Sequence, residues 1–392
     1  MAVTIYQEPQ LYSPVSNFLT FTFSSNQTAQ ANFSYYVELY VNSSFHSAHT
    51  IFPENGIYAK FDVSQLLKPY CESLIPDSLI EQNYDATLVQ YAIVVYEKYG
   101  TPPITQASAT SSTLFAFNGS LRYPDFIQWD YLVYDAASTQ DSLFLTSFPR
   151  SQKAYVRDGE AFYLGTFIST PAPSSLFIEL FDINGSTIAS DSYGLLGTNT
   201  FTLFNVGPDA IINNTTITQN DFDQCYRYYV YVDYGGASTS ETFFIYYDHD
   251  CARYDVQRLH WLNKFGVWDS FSFKLVSQDS TNITAVNYNQ MPGAWDSFRY
   301  QYSLNNGDKR TLIKRAEDSI LLNSDWMPEA VQNWLVRELY ESAVVYLDLG
   351  GNALELLNIT NTATVLKQKR KDGLIQEQVS ADRTYISYSQ LT

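Results

Sequence analysis

The sequence predicts a mainly β chain: two immunoglobulin- or fibronectin-like β-sandwich domains followed by an α+β C-terminal domain. Three observations support this. Short aromatic runs alternate apolar and polar residues, the period of half-buried strands. The pattern occurs twice, over residues 1–120 and 143–250, with similar architecture but no similar sequence. The charge balance then breaks where the pattern breaks. Residues 1–250 carry 8 Lys/Arg and 25 Asp/Glu, a net −17, whereas residues 251–392 carry 15 and 16, a net −1.

In the first module, residues 18–23, 35–41, 57–63 and 88–96 read as strands separated by Ser, Asn, Gly and Pro clusters. Residues 63–80 interrupt them and predict a short helical excursion carrying Cys71. Residues 121–142 read as a connector. It contains Trp129 and Tyr131, so it should pack on a domain. In the second module, strands are expected at 161–168, 176–181, 201–204, 226–234 and 242–247, with a Gly235-Gly236 turn between the last two.

The third domain, 251–392, opens on a short duplication. Trp268-Asp269-Ser270-Phe271 recurs as Trp295-Asp296-Ser297-Phe298, and both copies predict strands whose aromatics share a face. Turns are expected at 278–281 and 291–293. One helix is expected over about 326–342. Ser324 and Asp325 supply the cap, Pro328 and Glu329 sit in the first turn, and Val331, Trp334, Leu335 and Leu339 share a face. A hairpin through Gly350-Gly351 comes next, with further strands at 363–369 and 384–389 around Lys371-Asp372-Gly373.

Composition narrows the function classes. The 392 residues have a net charge of −18, which argues against nucleic acid as the main partner. The three cysteines, Cys71, Cys225 and Cys251, are far apart, so neither a disulfide framework nor a zinc site is expected. The N-terminal residues have no basic region and no apolar core, so no signal peptide is expected. No run approaches 18 apolar residues, so no membrane helix is expected.

Chemical motifs are sparse. His46 and His49 form a close pair without a third ligand placed by any motif. Asp248-His249-Asp250-Cys251 collects four reactive groups, but adjacent strand residues point to opposite faces and do not converge, so a polar hinge is expected. No GxSxG, HExxH, P-loop or dinucleotide fingerprint occurs, so no enzyme, cofactor or metal is expected. The sharpest charge feature is the basic run Lys367, Lys369, Arg370 and Lys371, whose readings are a solvated hairpin tip, a contact with an acidic neighbour, or nucleic acid. With that run, Trp268, Trp295, Trp326 and Trp334 are the candidate assembly contacts, against the alternative of ordinary core.

Three stretches resemble one family. They are Ile5-Tyr6-Gln7-Glu8-Pro9 with the strands at 33–41 and 56–64, the run Arg258-Leu259-His260-Trp261-Leu262-Asn263-Lys264-Phe265-Gly266-Val267-Trp268-Asp269-Ser270-Phe271, and Leu321-Leu322-Asn323-Ser324-Asp325-Trp326 with the helix after it. They are similar to virion structural, ring- or tail-associated proteins of crAss-like and related tailed phages of Bacteroidota. The resemblance is patchy and its motifs are structural. It implies a virion component with immunoglobulin-like modules, folded in the host cytoplasm, that forms a homo-oligomeric ring in the tail or head–tail (portal vertex) region. The expected partners are other copies and neighbouring virion proteins. No membrane and no specific nucleic acid is expected, only proximity to packaged DNA. The rival reading is a receptor- or glycan-binding adhesin or fibre adaptor of the virion.

Overall fold

The structure, a computed structural model, describes residues 3–390 except 55, 138–140, 171–173, 196–198, 235–237, 252, 305–306, 352 and 362–372. It is 48% strand and 11% helix, arranged in several sheets with no barrel among the described residues. The chain divides into two compact units: residues 1–250 with 261–270, and residues 251–260 with 271–392.

The first unit begins with two sheets that share one core. The smaller sheet orders Thr4–Gln7, Thr20–Ser24 and Tyr58–Asp62. The larger runs Tyr12–Pro14, Leu114–Phe117, Val89–Tyr99, Ser34–Val41 and Ser44–Ile51, with Ile104–Thr110 also on Val89–Tyr99. Alternation sets which side chains turn inward. Tyr35, Val37, Leu39 and Val41 are buried, while Tyr36, Glu38 and Tyr40 are half-exposed. The inward set joins Phe21, Phe23 and Ala59 in a single apolar cluster.

The excursion at 63–80 holds a one-turn helix, Ser64–Leu67, and a 3₁₀ turn, Lys68–Tyr70, with Cys71 at its end. The destination of the next segment is not legible in the sequence. Glu81–Asn83 leaves the first module and becomes the third strand of a sheet with Tyr163–Phe167 and Phe201–Asn205. Asp85 fastens this graft. Its Oδ1 accepts from the amides of Thr200 and Phe201 and from the Thr200 hydroxyl, at 2.8, 2.7 and 2.8 Å. The two β modules are therefore stitched together by a shared sheet.

The connector packs against this body through Trp129 and Tyr131. The Trp129 indole is buried and donates to the Tyr12 carbonyl at 3.0 Å, and the Tyr131 amide donates to Gln10 Oε1 at 3.0 Å. A second large sheet orders Ala154–Val156, Phe243–Tyr247, Arg227–Tyr234, Ser174–Phe181 and Thr187–Gly194. Its inner face buries Leu176, Ile178, Leu180, Tyr228, Val230 and Ile245. The expected Gly235-Gly236 turn lies outside the described residues.

Residues 261–270 are the tip of a hairpin and belong to the first unit. Their seat is tight. A Cβ on Gly165 would lie 2.6 Å from Val267 Cγ1, and one on Gly266, at φ +73°, would lie 2.7 Å from the Asn118 carbonyl oxygen. Neither position has room for a side chain.

The second unit is built on a seven-stranded sheet. Its order is Trp268–Phe273, Gln257–Leu262, Val345–Asp348, Leu354–Ile359, Gln378–Tyr388, Lys309–Asn323 and Gln278–Asn289. The helix is Glu329–Leu339, and it buries the expected stripe of Val331, Trp334, Leu335 and Leu339. Its start differs from expectation. Pro328 occupies the N-cap and no side chain caps it. Ser324 instead exchanges two bonds with Glu377: its amide donates to the Glu377 carbonyl at 2.9 Å, and its hydroxyl accepts from the Glu377 amide at 2.8 Å.

Two further expectations are corrected. Residues 278–281 are not a turn but the start of the twelve-residue strand Gln278–Asn289. The second Trp-Asp-Ser-Phe copy is not a strand. Trp295 ends a two-residue strand and Asp296 starts a turn. The strand at 363–369 lies outside the described residues.

Candidate assembly interface

The second unit carries a long β arm. Gln278–Asn289 pairs antiparallel with Lys309–Asn323, from Gln278 opposite Leu321 to Asn289 opposite Lys309, with a bulge at Val286 and Asn287. Gln378–Tyr388 backs the base of this ribbon as far as Arg315, which faces Tyr388. Beyond that point, among the described residues, only two strands continue. All twelve residues of Gln278–Asn289 are exposed, so neither face of that strand is covered. At the usual rise per strand residue the paired length is ~40 Å.

The base is braced across three strands. Arg383 lies 3.1 Å from Asp279 and also pairs with Glu355, whose side chain is buried. Thr281 donates to Asp318 across the ribbon at 2.5 Å. The tip folds on itself. Asp296 Oδ1 accepts from the amides of Phe298 and Arg299 at 3.0 and 2.9 Å, and these amides hold its carboxyl below the usual range. The Tyr300 hydroxyl donates to the Pro292 carbonyl at 2.9 Å. Its ring lies over Gly293, at φ +102°, where a Cβ would sit 2.4 Å from ring carbon Cε1. The tip and shaft are apolar on the outside: Met291, Trp295, Phe298, Tyr302 and Ile283 are all exposed.

The four candidate tryptophans separate cleanly. Trp295, on the arm, is 65% exposed, and Trp326, just before the helix, is 53% exposed. Both are available for contacts. Trp268 and Trp334 are 1% and 5% exposed and are interior side chains, so they are corrected to core. The Trp268 indole donates to the Tyr84 hydroxyl at 2.9 Å and the Leu74 carbonyl at 3.0 Å. Trp334 faces Phe271 with ring centroids 6.5 Å apart. The basic candidates Lys367, Lys369, Arg370 and Lys371 lie outside the described residues.

Sequence reasoning missed Met291, Phe298 and Tyr302. One signal was present. Lys309–Asn323 carries apolar residues at both ends, and as a strand it is about three times the usual length, so it outruns a sandwich.

The chemical motifs do not assemble into a site. His46 and His49 lie on the strand Ser44–Ile51, each 2.9 Å from the Ser47 hydroxyl. No group of three or more His, Cys, Asp or Glu among the described residues is placed to hold a metal ion. The residues of the 248–251 motif turn to different partners. Asp248 lies 3.6 Å from Arg157, His249 Nε2 donates to the Cys225 carbonyl at 2.6 Å, and Cys251 is exposed. Burial pushes the Cys71 and Cys225 thiols up to about 12.

A second surface feature lies on the first unit. The outer face of the sheet containing Ser174–Phe181, Arg227–Tyr234 and Phe243–Tyr247 is aromatic where a polar face is usual. Phe177 and Tyr231 have ring centroids 5.0 Å apart, and Tyr229 and Phe244 are 5.7 Å apart. Arg227 lies 5.5 Å from the Phe244 ring and Lys153 lies 4.6 Å from the Tyr246 ring.

Comparison with known proteins gives no family. No family model matches the chain, and no curated protein matches it. Among solved structures, it is similar to the FN1–FN3 domains of chicken CNTN1 at 12% identity and a TM-score of 0.17, covering 60% of this chain and 61% of that one. It is also similar to a Salmonella alpha-2-macroglobulin variant at 8% identity and a TM-score of 0.18, covering 100% of this chain and 34% of that one. The chain thus spans less than two thirds of the length of either. Likeness at these scores carries no weight for fold or function. Among the described residues, no helix is long and apolar enough to cross a membrane.

Proposed function

We propose that this chain is a structural subunit of a phage virion. In this reading two immunoglobulin- or fibronectin-like sandwiches form its body, and it joins other copies in a ring of the tail or head–tail region. The observation that carries the reading is the β arm. A ribbon whose outer strand is exposed along its whole length, with Met291, Trp295, Phe298 and Tyr302 exposed near its end, is built to be covered by something else. A net charge of −18 keeps such subunits apart before assembly. The patchy resemblance of the sequence to ring- and tail-associated virion proteins points the same way.

Light scattering on the purified protein, with negative-stain images, tests this. A closed ring of identical copies is the expected result. A stable trimer favours the second reading, an adhesin or fibre adaptor. That reading draws on a separate observation, the aromatic outer sheet face around Tyr229, Tyr231 and Phe244, since sugar rings stack on such surfaces. Glycan-array binding lost on Tyr229→Ala would support it.

A further inference from the structure

We infer that the arm of one copy docks on the acidic first unit of a second copy. This rests on the homo-oligomeric reading above. The arm needs a partner for two physical reasons. Two strands without a third, or without a packed face, are marginal in water. Its exposed apolar side chains, Met291, Trp295, Phe298 and Tyr302, lie close together in sequence and are not covered by the rest of their own unit.

Charge decides what kind of partner fits. Residues 281–316 carry five Lys/Arg and two Asp, a net +3 on a chain whose total is −18. Arg299, Lys309 and Lys314 are exposed. Two arms of like charge repel. The remainder of residues 251–392, with the arm taken out, has a net −4, a much weaker attraction. Residues 1–250, at −17, are the complementary surface, and a second copy brings that surface in stoichiometric amount. Aromatic anchors with a polar, solvent-accessible rim are a common composition for an interface. Beyond Arg315 the two-stranded part, Ala285–Asn289 with its partner, runs ~17 Å at the usual rise per strand residue and carries the folded tip at its end.

The test places a benzophenone photocrosslinking side chain at position 298 in the full chain. The labelled protein is mixed with a ¹⁵N-labelled copy and irradiated under assembly conditions. The expected products are heavy–light crosslinked peptides that join the arm to residues 1–250. Lys309→Glu with Lys314→Glu should weaken association at least ten-fold, and raised salt should weaken it too, with the thermal unfolding of the dissociated subunit unchanged. Oligomers whose crosslinks join arm to arm, or arm to residues 251–392, overturn the inference and leave the oligomer reading intact. A chain that stays monomeric at every concentration, or whose arm crosslinks to added duplex DNA in place of a second copy, overturns both.

Discussion

The duplicated Trp-Asp-Ser-Phe segment gives a controlled comparison, because one sequence occupies two environments. Trp268 is interior and Trp295 is on the arm. Replacing Trp268 by Ala empties a buried site and leaves the Tyr84 hydroxyl and the Leu74 carbonyl without the indole donor. Truncating a large buried aromatic costs about 3–5 kcal/mol. Part of that is the hydrogen bonding, at about 1 kcal/mol per bond. Replacing Trp295 by Ala removes a side chain that touches mostly water, so the expected stability change is within about 0.5 kcal/mol. The assay is urea unfolding of both variants at a concentration where the protein is dispersed, then light scattering at a concentration where it associates. Trp268→Ala should shift the unfolding midpoint strongly. Trp295→Ala should leave it in place and reduce the associated fraction. A Trp295→Ala variant that unfolds as early as Trp268→Ala would refute the placement of the second copy on an uncovered arm. One that associates normally would remove Trp295 from the interface.

Three more predictions rest on the same geometry. With Cys251 exposed, and with burial pushing the Cys71 and Cys225 thiols up to about 12, one thiol per chain should react quickly with maleimide in the native protein and three after unfolding; mass spectrometry reads the count. Gly165→Ala should cost about 1–3 kcal/mol by overpacking, because the new methyl meets Val267 at 2.6 Å, and Val267→Ala should recover much of the loss in a double-mutant cycle. Burial works to raise the Asp348 carboxyl, but its bonds to His260 at 3.3 Å and to the Gly350 amide at 2.8 Å outweigh this, so its pKa is lowered in the fold. A depressed carboxyl adds stability above its unfolded value and loses it as pH falls through the folded one. Asp348→Asn should therefore be less stable than the parent at neutral pH, and the gap should close below the ordinary value of 3.8; acid titration of the unfolding midpoint measures it.

The strands were legible because each needs only its own alternation. Ser34–Val41 turns Tyr35, Val37 and Leu39 inward, as its pattern requires. The helical stripe Val331, Trp334, Leu335 and Leu339 was legible for the same reason. What the sequence hid were pairings between distant segments. Nothing local marks Glu81–Asn83 as the partner of Phe201–Asn205, because Asp85 earns its role only when Thr200 is already beside it. Pattern also cannot tell a strand that covers a core from one that covers nothing. Residues 281–289 carry Ile283, Val286 and Tyr288 at strand spacings, yet all three are exposed. The cap at Ser324 misled because the same hydroxyl that would cap a helix also serves a buried strand end, and here Glu377 claims it.

The edge of the arm makes a last physical point. Exposed sheet edges invite pairing with other chains, and proteins usually blunt them with charge, proline or short strands. Gln278–Asn289 uses few such devices, and its bulge at Val286 and Asn287 is one. It runs for twelve residues, contains no proline, and its one charge, Asp279, sits at the braced base. Its partner strand does carry charge, with Lys309, Arg310, Lys314 and Arg315 in its first seven residues. The charge is thus placed mainly on the inner strand, and the outer edge keeps only Asp279 and the bulge. In a subunit meant to remain alone this arrangement would favour uncontrolled strand addition. In one whose arm is taken up by the next copy, the bare edge lies where strand pairing can occur, and the cations beside it steer the arm toward an acidic surface and away from another arm.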